Sequence, residues 1–280
     1  MNEMSNSANL VSICIPFYKG KEYVLQTLRS VMNQTWQQWE LVITDDASGD
    51  GTAEEIDRFV AEAADPRIRF FRNEERLGMV DNWNKVLGRA RGQYIKLVCG
   101  DDWLRPDCVE RQVCALEANP SAALTTSSRM IVNSAGQPLF VRACYRKTGL
   151  YNGREAQRQG LLAGTNTIGD PVAVMFRAEL LQRTGPFAPS VVYCTDMDLW
   201  LRLLSYGDLH FIAEALAYYR IHHHSTGKAL REETVQDFLR VVDRLTEMSG
   251  LRFSPFERFR MAAKSRIKSR LRQAVYRFLA

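Results

Sequence analysis

The segment from Tyr94 to Pro106 reads YIKLVCGDDWLRP and joins an apolar run to two adjacent carboxylates, Asp101 and Asp102. A short apolar run bounded by glycine and charge is typical of a buried strand. Two carboxylates at the end of such a strand repel each other and are costly to desolvate, so a cation is expected beside them. A divalent cation that carries a phosphate meets this requirement, because hard cations prefer carboxylate oxygens. The alternative is a solvated turn in which Asp caps the following helix.

The bulk composition is that of an ordinary folded protein. The chain has 280 residues, of which 46% are hydrophobic and 25% charged, enough for one large α/β domain. The sequence has no apolar run long enough for a membrane-spanning helix, and the polar stretch 1–9 does not resemble a signal peptide. Six scattered cysteines without a CxxC pair indicate a reducing compartment, so we expect a cytoplasmic location.

The positive charge is concentrated at the C-terminal end. The total is +5, but from Leu251 onward nine Lys or Arg residues face a single Glu, so this segment alone is basic and the rest is slightly acidic. An amphipathic basic helix over 253–280 is typical of a membrane-surface element, which predicts peripheral contact with the cytoplasmic face of a membrane. The alternative is a helix packed on its own domain with its arginines in solvent. No nucleic-acid partner is expected, because no recognised motif accompanies the charge.

The first 120 residues alternate between strand-like and helix-like patterns. Strands are predicted at 10–16, 39–44, 67–71 and 94–98, and helices at 22–32, 52–64 and 80–89. This alternation predicts an α/β fold with a Rossmann-like, mostly parallel sheet and helices on both faces. Such sheets bind ligands at the carboxyl ends of their strands, where the chain places 16–18, 45–46 and 101–102.

Beyond residue 120 the alternation ends. Strands are predicted at 122–132, 171–176 and 215–221, and helices at 154–162, 196–206, 232–248 and 255–279. Dinucleotide and P-loop signatures are absent, as are HExxH and GxSxG, which argues against those classes of enzyme.

Seven segments, in order, resemble the family 2 inverting glycosyltransferases of the GT-A fold. Together they span most of the chain, and their order and spacing are more specific than any one of them. The segments are SICIPFY (12–18), LRSVMNQTW (28–36), ELVITDDASGDGT (40–52), ARGQYI (90–95), DD (101–102), DMDLWLRL (196–203) and YRIH (219–222). The resemblance implies a nucleotide-sugar-binding half over 1–120, an acceptor-binding and catalytic half of the same domain over 121–228, and C-terminal basic helices over 229–280.

The resemblance also implies a nucleotide-diphosphate sugar as donor, here a UDP-sugar. Asp45 would accept a hydrogen bond from the base, unless it merely caps its turn. Tyr18 would stack on the base or border it, and Pro16 would shape that wall. Asp101 would contact the ribose or a metal-bound water. Arg76 is a further candidate for nucleotide binding, with a solvated surface position as the alternative.

The resemblance implies that Mn²⁺ or Mg²⁺ assists the reaction. Asp102 would bind the cation that bridges the donor diphosphate, with His222 as a second ligand, since imidazole is a reasonable ligand for Mn²⁺. His224 is an alternative to His222. Cys99 stands where many relatives carry another acid, which leaves fewer carboxylates for the metal.

Inverting transfer requires a base that removes a proton from the acceptor hydroxyl. Asp196 matches the base position of the family, and the alternative is an N-cap of the helix that begins there. The resemblance implies an acceptor hydroxyl on a surface glycan or a lipid-linked glycan. A non-catalytic nucleotide- or glycan-binding module on the same fold is the alternative function, and a nucleotidyltransferase is a second one.

Overall fold

The computed structural model of the protein describes residues 9–222 and 232–279. In this part of the chain the strands are β1 (Val11–Phe17), β2 (Trp39–Asp45), β3 (Ile68–Arg72), β4 (Tyr94–Leu97), β5 (Trp103–Leu104), β6 (Ala122–Val132), β7 (Pro138–Arg142), β8 (Gly149–Tyr151), β9 (Val174–Arg177) and β10 (Asp208–Arg220). The α-helices are α1 (Val24–Met32), α2 (Thr52–Ala63), α3 (Met79–Leu87), α4 (Cys108–Ala118), α5 (Gly153–Ala163), α6 (Leu181–Thr184), α7 (Thr195–Leu203), α8 (Glu232–Ser249) and α9 (Pro255–Leu279).

These strands form one sheet in the order β3-β2-β1-β4-β9-β6-β10-β5, with β7 paired to β6 and β8 paired to β10. The β3-β2-β1-β4 half is parallel. In the other half β6 and β10 are parallel, whereas β9 runs antiparallel to both β4 and β6. The chain leaves β1 toward β2 and β3 and then returns to β4 on the other side of β1. A crevice therefore opens at the carboxyl ends of β1 and β4, as the predicted α/β fold class requires.

The two faces of the sheet bury separate apolar clusters, because successive side chains of a strand point to opposite faces. Ile13 and Ile15 of β1 pack with α1, α2 and α4. Cys14 of the same strand packs with α3, α5, α7 and α8, and Met261 joins α9 to this cluster. The strands are thus buried on both sides, which explains their continuous apolar runs.

The bounds of β6 and α9 are as predicted, and the largest differences lie in the second half. The strand predicted at 215–221 begins at Asp208, because the backbone pairs with β6 along that whole length despite three irregularities in register. The strand predicted at 171–176 begins with a short 3-10 turn at Pro171–Ala173, since proline cannot donate to a ladder. The predicted division at residue 228 falls outside the described residues, and the functional division of the chain stays a prediction.

A buried ion pair fixes α7 in place. The guanidinium of Arg202 donates to the carboxylate of Asp198 at 2.8 Å, and both side chains are 1% exposed. Arg202 also donates to the carbonyl oxygens of Thr184, Gly185 and Pro186. These bonds tie the helix to the loop after α6, so the N-terminus of α7 has a defined position.

We expect Arg202→Met to lower the free energy of unfolding by about 3 kcal/mol, because the buried Asp198 carboxylate would keep only its 3.4 Å contact with Arg244 and several buried carbonyl groups would lose their donor. Urea denaturation measures the change. Arg58→Met is the matched control, since Arg58 forms an ion pair with 62% of its side chain exposed and its loss should cost about 0.5 kcal/mol or less. Equal stability of the two variants would contradict the structural role of Arg202.

Candidate functional site

A cavity of about 1190 Å³ lies at the carboxyl ends of β1 and β4. Its walls come from the segments after these two strands, the loop after α5, the N-terminus of α7 and one face of α9. The predicted site residues on its walls are Pro16, Tyr18, Arg76, Asp101, Asp102, Asp196 and His222. The structure therefore brings together residues from both halves of the chain.

Asp102 is fully buried at the bottom of the turn that follows β4. Its Oδ1 accepts a hydrogen bond of 2.9 Å from the backbone N–H of Arg220, whereas its Oδ2 is buried without a hydrogen-bond partner. Burial, followed by the charge of Asp101, raises the pKa of Asp102 well above its usual range. A buried carboxylate oxygen without a donor is costly unless a cation or a proton satisfies it.

A divalent cation fits this arrangement. The ligand atoms of Cys99, Asp101 and Asp102 lie within 4.8 Å of one another. Burial, together with the charges of Asp102 and Asp101, raises the pKa of the Cys99 thiol well above its usual range. The thiol is a poor match for Mg²⁺ or Mn²⁺, because these cations prefer oxygen ligands. The two carboxylates are the groups able to hold the ion, with the unpartnered Oδ2 of Asp102 as the clearest donor.

His222 lies beside Asp101 rather than beside Asp102. Its Nε2 is 2.8 Å from the Oδ2 of Asp101, and its ring packs against Tyr23 with 5.3 Å between centroids. This contact orients the Asp101 carboxylate, whereas the predicted role of His222 as a metal ligand stays a prediction. His224, its predicted alternative, lies outside the described residues.

The turn that carries the two carboxylates is held by a close approach to β1. A side chain at Gly100 would place its Cβ 2.4 Å from the Phe17 ring, so only glycine fits without a shift. The hydroxyl of Thr27 in α1 lies 2.8 Å from the carbonyl oxygen of Asp102 and 3.0 Å from that of Gly100. The position of the carboxylates thus depends on β1 and α1 together.

Arg220, at the end of β10, holds the same turn from the other side. Its backbone N–H binds Asp102, as described above, and its Nε donates to the carbonyl oxygen of Asp101 at 3.0 Å. Its guanidinium lies 4.2 Å from the ring centroid of Tyr23 and 4.7 Å from that of Trp103. Because Arg220 is 3% exposed, it supplies a buried positive charge directly behind the carboxylates.

The wall nearest to the end of β1 is aromatic and cationic. Tyr18 is 38% exposed, and the guanidinium of Arg76 lies 4.2 Å from the centroid of its ring. Asp46 accepts hydrogen bonds from the side chain of Asn73 and from the backbone N–H groups of Leu77 and Gly78. These bonds hold the loop that carries Arg76 against Tyr18. An aromatic face with a cation beside it can stack a nucleobase.

The carboxylate of Asp45 is not part of this wall. It accepts hydrogen bonds from the backbone N–H of Ser48, at 3.0 Å, and from the Ser48 hydroxyl. Asp45 is 2% exposed, and its neighbour Asp46 is the carboxylate that lines the cavity. Asp45 thus closes the turn after β2 through its bonds to Ser48, and its predicted contact with a base stays a prediction.

Asp196 is the second residue of α7 and lies partly exposed on the cavity wall. Its Oδ2 accepts a 2.7 Å hydrogen bond from the side chain of Asn166, and its Oδ1 lies 2.7 Å from the backbone N–H of Met197. Burial, followed by the charge of Asp170, raises the pKa of Asp196 to about 6. A carboxylate with a pKa near neutrality is a suitable proton acceptor.

Asp170 stands next to Asp196 and remains ionised. Its Oδ2 accepts a hydrogen bond from Arg129, whose side chain is 1% exposed. Burial acts to raise the pKa of Asp170, but the charges of Arg129, Arg142 and Arg272 prevail and lower it. The two carboxylates therefore have opposite pKa shifts, an arrangement typical of active sites.

Several residues of the site were not identified from the sequence. They are Asp46, Asn166, Asp170, Arg220 and the cavity-lining residues of α9. Arg220 lies inside the quoted motif YRIH, so its place was visible in the sequence although its role was not. The contribution of α9 had no such signal, because a charge pattern does not show which face of a helix meets the domain.

Residues 12–185 match the family described as Glycosyl transferase family 2. The putative teichuronic acid biosynthesis glycosyltransferase TuaG of Bacillus subtilis (strain 168) is 32% identical over 222 residues, which are 78% of this chain and 81% of that protein. Two other bacterial relatives are matched over 66% and 47% of their own length. The chain belongs to glycosyl transferase family 2.

Solved structures share the fold. S. aureus TarS 1-349 in complex with UDP-GlcNAc superposes with a TM-score of 0.71 at 15% identity, over 91% of this chain and 71% of that one. The mannosyltransferase PcManGT from Pyrobaculum calidifontis, in complex with GDP-Man and Mn²⁺, has a TM-score of 0.63 at 17% identity, over 97% of this chain and 73% of that one. The predicted GT-A fold with C-terminal helices is confirmed.

We expect Gly100→Ala to weaken Mn²⁺ binding by about tenfold, because the new methyl group would displace the turn that carries the carboxylates. Calorimetric titration with Mn²⁺ measures the change. The double variant Phe17→Leu/Gly100→Ala should recover part of the affinity. Gly88→Ala is the control, since its Cβ would meet nothing closer than 3.4 Å. Wild-type affinity of Gly100→Ala would show that the turn does not set the metal site.

Proposed function

We propose that this chain is an inverting glycosyltransferase that moves a sugar from a UDP-sugar to a hydroxyl group of a surface glycan or a lipid-linked glycan. One observation carries the proposal: the buried, unpartnered oxygen of Asp102 and the raised pKa of Asp196 occur on the walls of the same cavity. The oxygen of Asp102 can bind a cation that carries a diphosphate, and Asp196 can act as a base. A metal-assisted single displacement uses both groups at one reaction centre.

The donor would lie between the Tyr18 wall and the carboxylate turn. Tyr18 and Arg76 would hold the base, and Pro16 would shape the same wall, since all three line the cavity. Uridine is proposed because TarS, which superposes over 91% of this chain, was solved with UDP-GlcNAc. The carboxylate of Asp46 lines the same wall, where its oxygens accept hydrogen bonds from Asn73, Leu77 and Gly78. Binding of UDP is compared with binding of GDP to test the choice of base.

Asp102 and Asp101 would hold Mn²⁺ or Mg²⁺. When bound, the cation supplies positive charge that stabilises the departing nucleoside diphosphate. Arg220 keeps the Asp101–Asp102 turn in position from behind, through its bonds to both residues. His222 holds the Asp101 carboxylate through the 2.8 Å contact of its Nε2. Arg220 and His222 would position the carboxylates of Asp101 and Asp102, and these carboxylates would bind the ion.

Asp196 would accept the proton of the acceptor hydroxyl while the hydroxyl oxygen attacks the anomeric carbon from the side opposite the diphosphate. Asn166 and the backbone N–H of Met197 fix the direction of its carboxylate. Asp170 supplies the negative charge that helps to raise the pKa of Asp196. The chain thus divides into a donor side, from the first 120 residues, and an acceptor side that contains Asp196.

We expect Asp196→Asn to reduce sugar transfer by at least about 100-fold, because the amide cannot accept the proton. A thermal-shift screen of nucleotide sugars with Mn²⁺ selects the donor, and release of UDP then reports transfer to water. Calorimetry should show that the variant still binds UDP in the presence of Mn²⁺. Asp57→Asn, at an exposed carboxylate, is the control and should match the wild type.

The same assay has an expected pH dependence. Asp196 acts as a base in its ionised form, so kcat/KM should rise with pH through about 6 and level off above it. A rate that is independent of pH between 5 and 8, or near-wild-type transfer by Asp196→Asn, would contradict the assignment. Metal-dependent UDP binding without any turnover would instead favour the non-catalytic binding module.

We further propose that the exposed face of α9 rests on a membrane that carries the lipid-linked acceptor. The large apolar side chains on this face are strongly exposed: Phe256 66%, Phe259 71%, Ile267 58% and Leu271 60%. Basic residues lie among them, so anionic lipid would attract the same face. None of the described helices is long and apolar enough to cross a bilayer. All six cysteines are free, which supports the proposed location at the cytoplasmic face.

Vesicle sedimentation tests the membrane proposal. With vesicles of 70% phosphatidylcholine and 30% phosphatidylserine we expect binding to fall at least about fivefold in Phe256→Ser/Phe259→Ser. The reason is that the variant lacks the two phenyl groups that would insert into the lipid. Phe140→Ser, at a 45% exposed phenylalanine of β7, should bind as the wild type does. Unchanged binding of the double variant would exclude α9 as the contact.

A further inference from the structure

Three cations line the cavity on the side of Asp196. Lys268 and Arg272 lie one turn apart on α9, and Arg142 is the last residue of β7. We call these three residues the α9 cation cluster. The mechanism described above assigns them no role, and each of them is partly buried rather than solvated.

The cluster is connected to the proposed base by two hydrogen bonds. Arg272 Nη2 donates to the hydroxyl of Thr165 at 3.0 Å. The next residue in the chain, Asn166, donates to the Asp196 carboxylate at 2.7 Å. The backbone of α9 comes close to this loop because Gly164 has no side chain, and a Cβ there would lie 2.7 Å from the backbone nitrogen of Ser265. The packing of α9 on this loop therefore places Arg272 of the cluster beside the residues that hold the base.

The charges that act most strongly on Lys268 are positive. Burial, followed by the charges of Lys264, Arg142 and Arg272, lowers the pKa of Lys268. Asp170 is the nearby carboxylate on which Arg142 and Arg272 both act, and it also accepts a hydrogen bond from the buried Arg129. Its single negative charge is therefore shared among three arginines. Within 9–222 and 232–279, neither Arg142 nor Lys268 forms an ion pair. Like charges held together in a partly buried wall require an anion that arrives with a ligand.

The donor diphosphate is not the best match for this charge. The groups that act most on the pKa of Asp102 are Asp101, Asp170 and Arg220, and none of them belongs to the cluster. Arg272, in contrast, acts on the pKa of Asp196. Arg272 is also linked to the base through the loop of Thr165 and Asn166, and the acceptor, not the donor, must approach the base.

We propose that the α9 cation cluster binds a phosphate group of the acceptor, next to the hydroxyl that Asp196 deprotonates. This inference rests on the proposed function. Phosphate fits better than a single carboxylate, because three cations from two elements surround the space and phosphate offers three acceptor oxygens. The buried hydroxyl residues Ser265 and Ser269 line the same wall and can donate to it. The phosphate belongs either to a lipid carrier or to a phosphate-bearing chain end.

The test is calorimetric titration of the full chain with glycerol phosphate and with decyl phosphate, each with and without saturating UDP and Mn²⁺. Glycerol and decanol are the neutral counterparts. We expect the phosphates to bind the UDP-loaded protein and the neutral compounds to bind at least tenfold more weakly. Preference for decyl phosphate supports a lipid carrier, and equal binding of glycerol phosphate supports a phosphate-bearing chain end.

Lys268→Gln and Arg142→Gln should each weaken phosphate binding by about tenfold, and two variants on different elements guard against a fold defect in one of them. Arg270→Gln is the matched control, because it removes the same charge from the exposed face of α9 and should change the affinity less than twofold. Displacement of the phosphate by UDP, or wild-type affinity of Lys268→Gln and Arg142→Gln, would overturn the proposal. Failure of the wild type to bind UDP would instead overturn the proposed function, since the titration without UDP still reports on the cluster.

Discussion

The contact between the end of β10 and the turn after β4 is the constraint on which the site depends. Arg220 binds the carboxylate of Asp102 through its backbone and the carbonyl oxygen of Asp101 through its side chain. It also lies between the rings of Tyr23 and Trp103. One buried residue thus joins the first half of the chain, which carries the acidic pair, to the second half, which carries the proposed base. The position of the acidic pair is therefore a property of the completed sheet.

The site retains electrostatic costs that a purely structural core would avoid. Asp102 is buried with one oxygen unpartnered, and burial raises the pKa of both Asp102 and Asp196. Asp198, in contrast, is buried in an ion pair with Arg202. Local conflicts of this kind concentrate at functional sites, because a ligand and not the folded chain resolves them.

The C-terminal helix α9 has two different faces, and each of them carries one of the two proposals about the acceptor. Its inner face packs Met261 into the core and places Lys268 and Arg272 on the cavity wall. Its outer face exposes phenylalanines such as Phe256 and Phe259 among basic residues. Under the two proposals, the outer face of α9 would contact the membrane and its inner face would bind the phosphate of a lipid-linked acceptor near the base.

The sequence by itself determined the local features: the alternation of β1 to β4 with their helices, the extent of α9, and the family resemblance that named Asp101, Asp102 and Asp196. These features depend on short-range periodicity and on motifs, both of which can be recognised in the amino-acid sequence alone. Only the tertiary structure decided that Asp46, and not Asp45, lines the cavity, that His222 lies on Asp101, and that half of the basic helix faces the site. The reason is physical. Which of two adjacent carboxylates lines the cavity, and which face of a helix meets the domain, depends on contacts between residues far apart in the chain, and no local pattern specifies them.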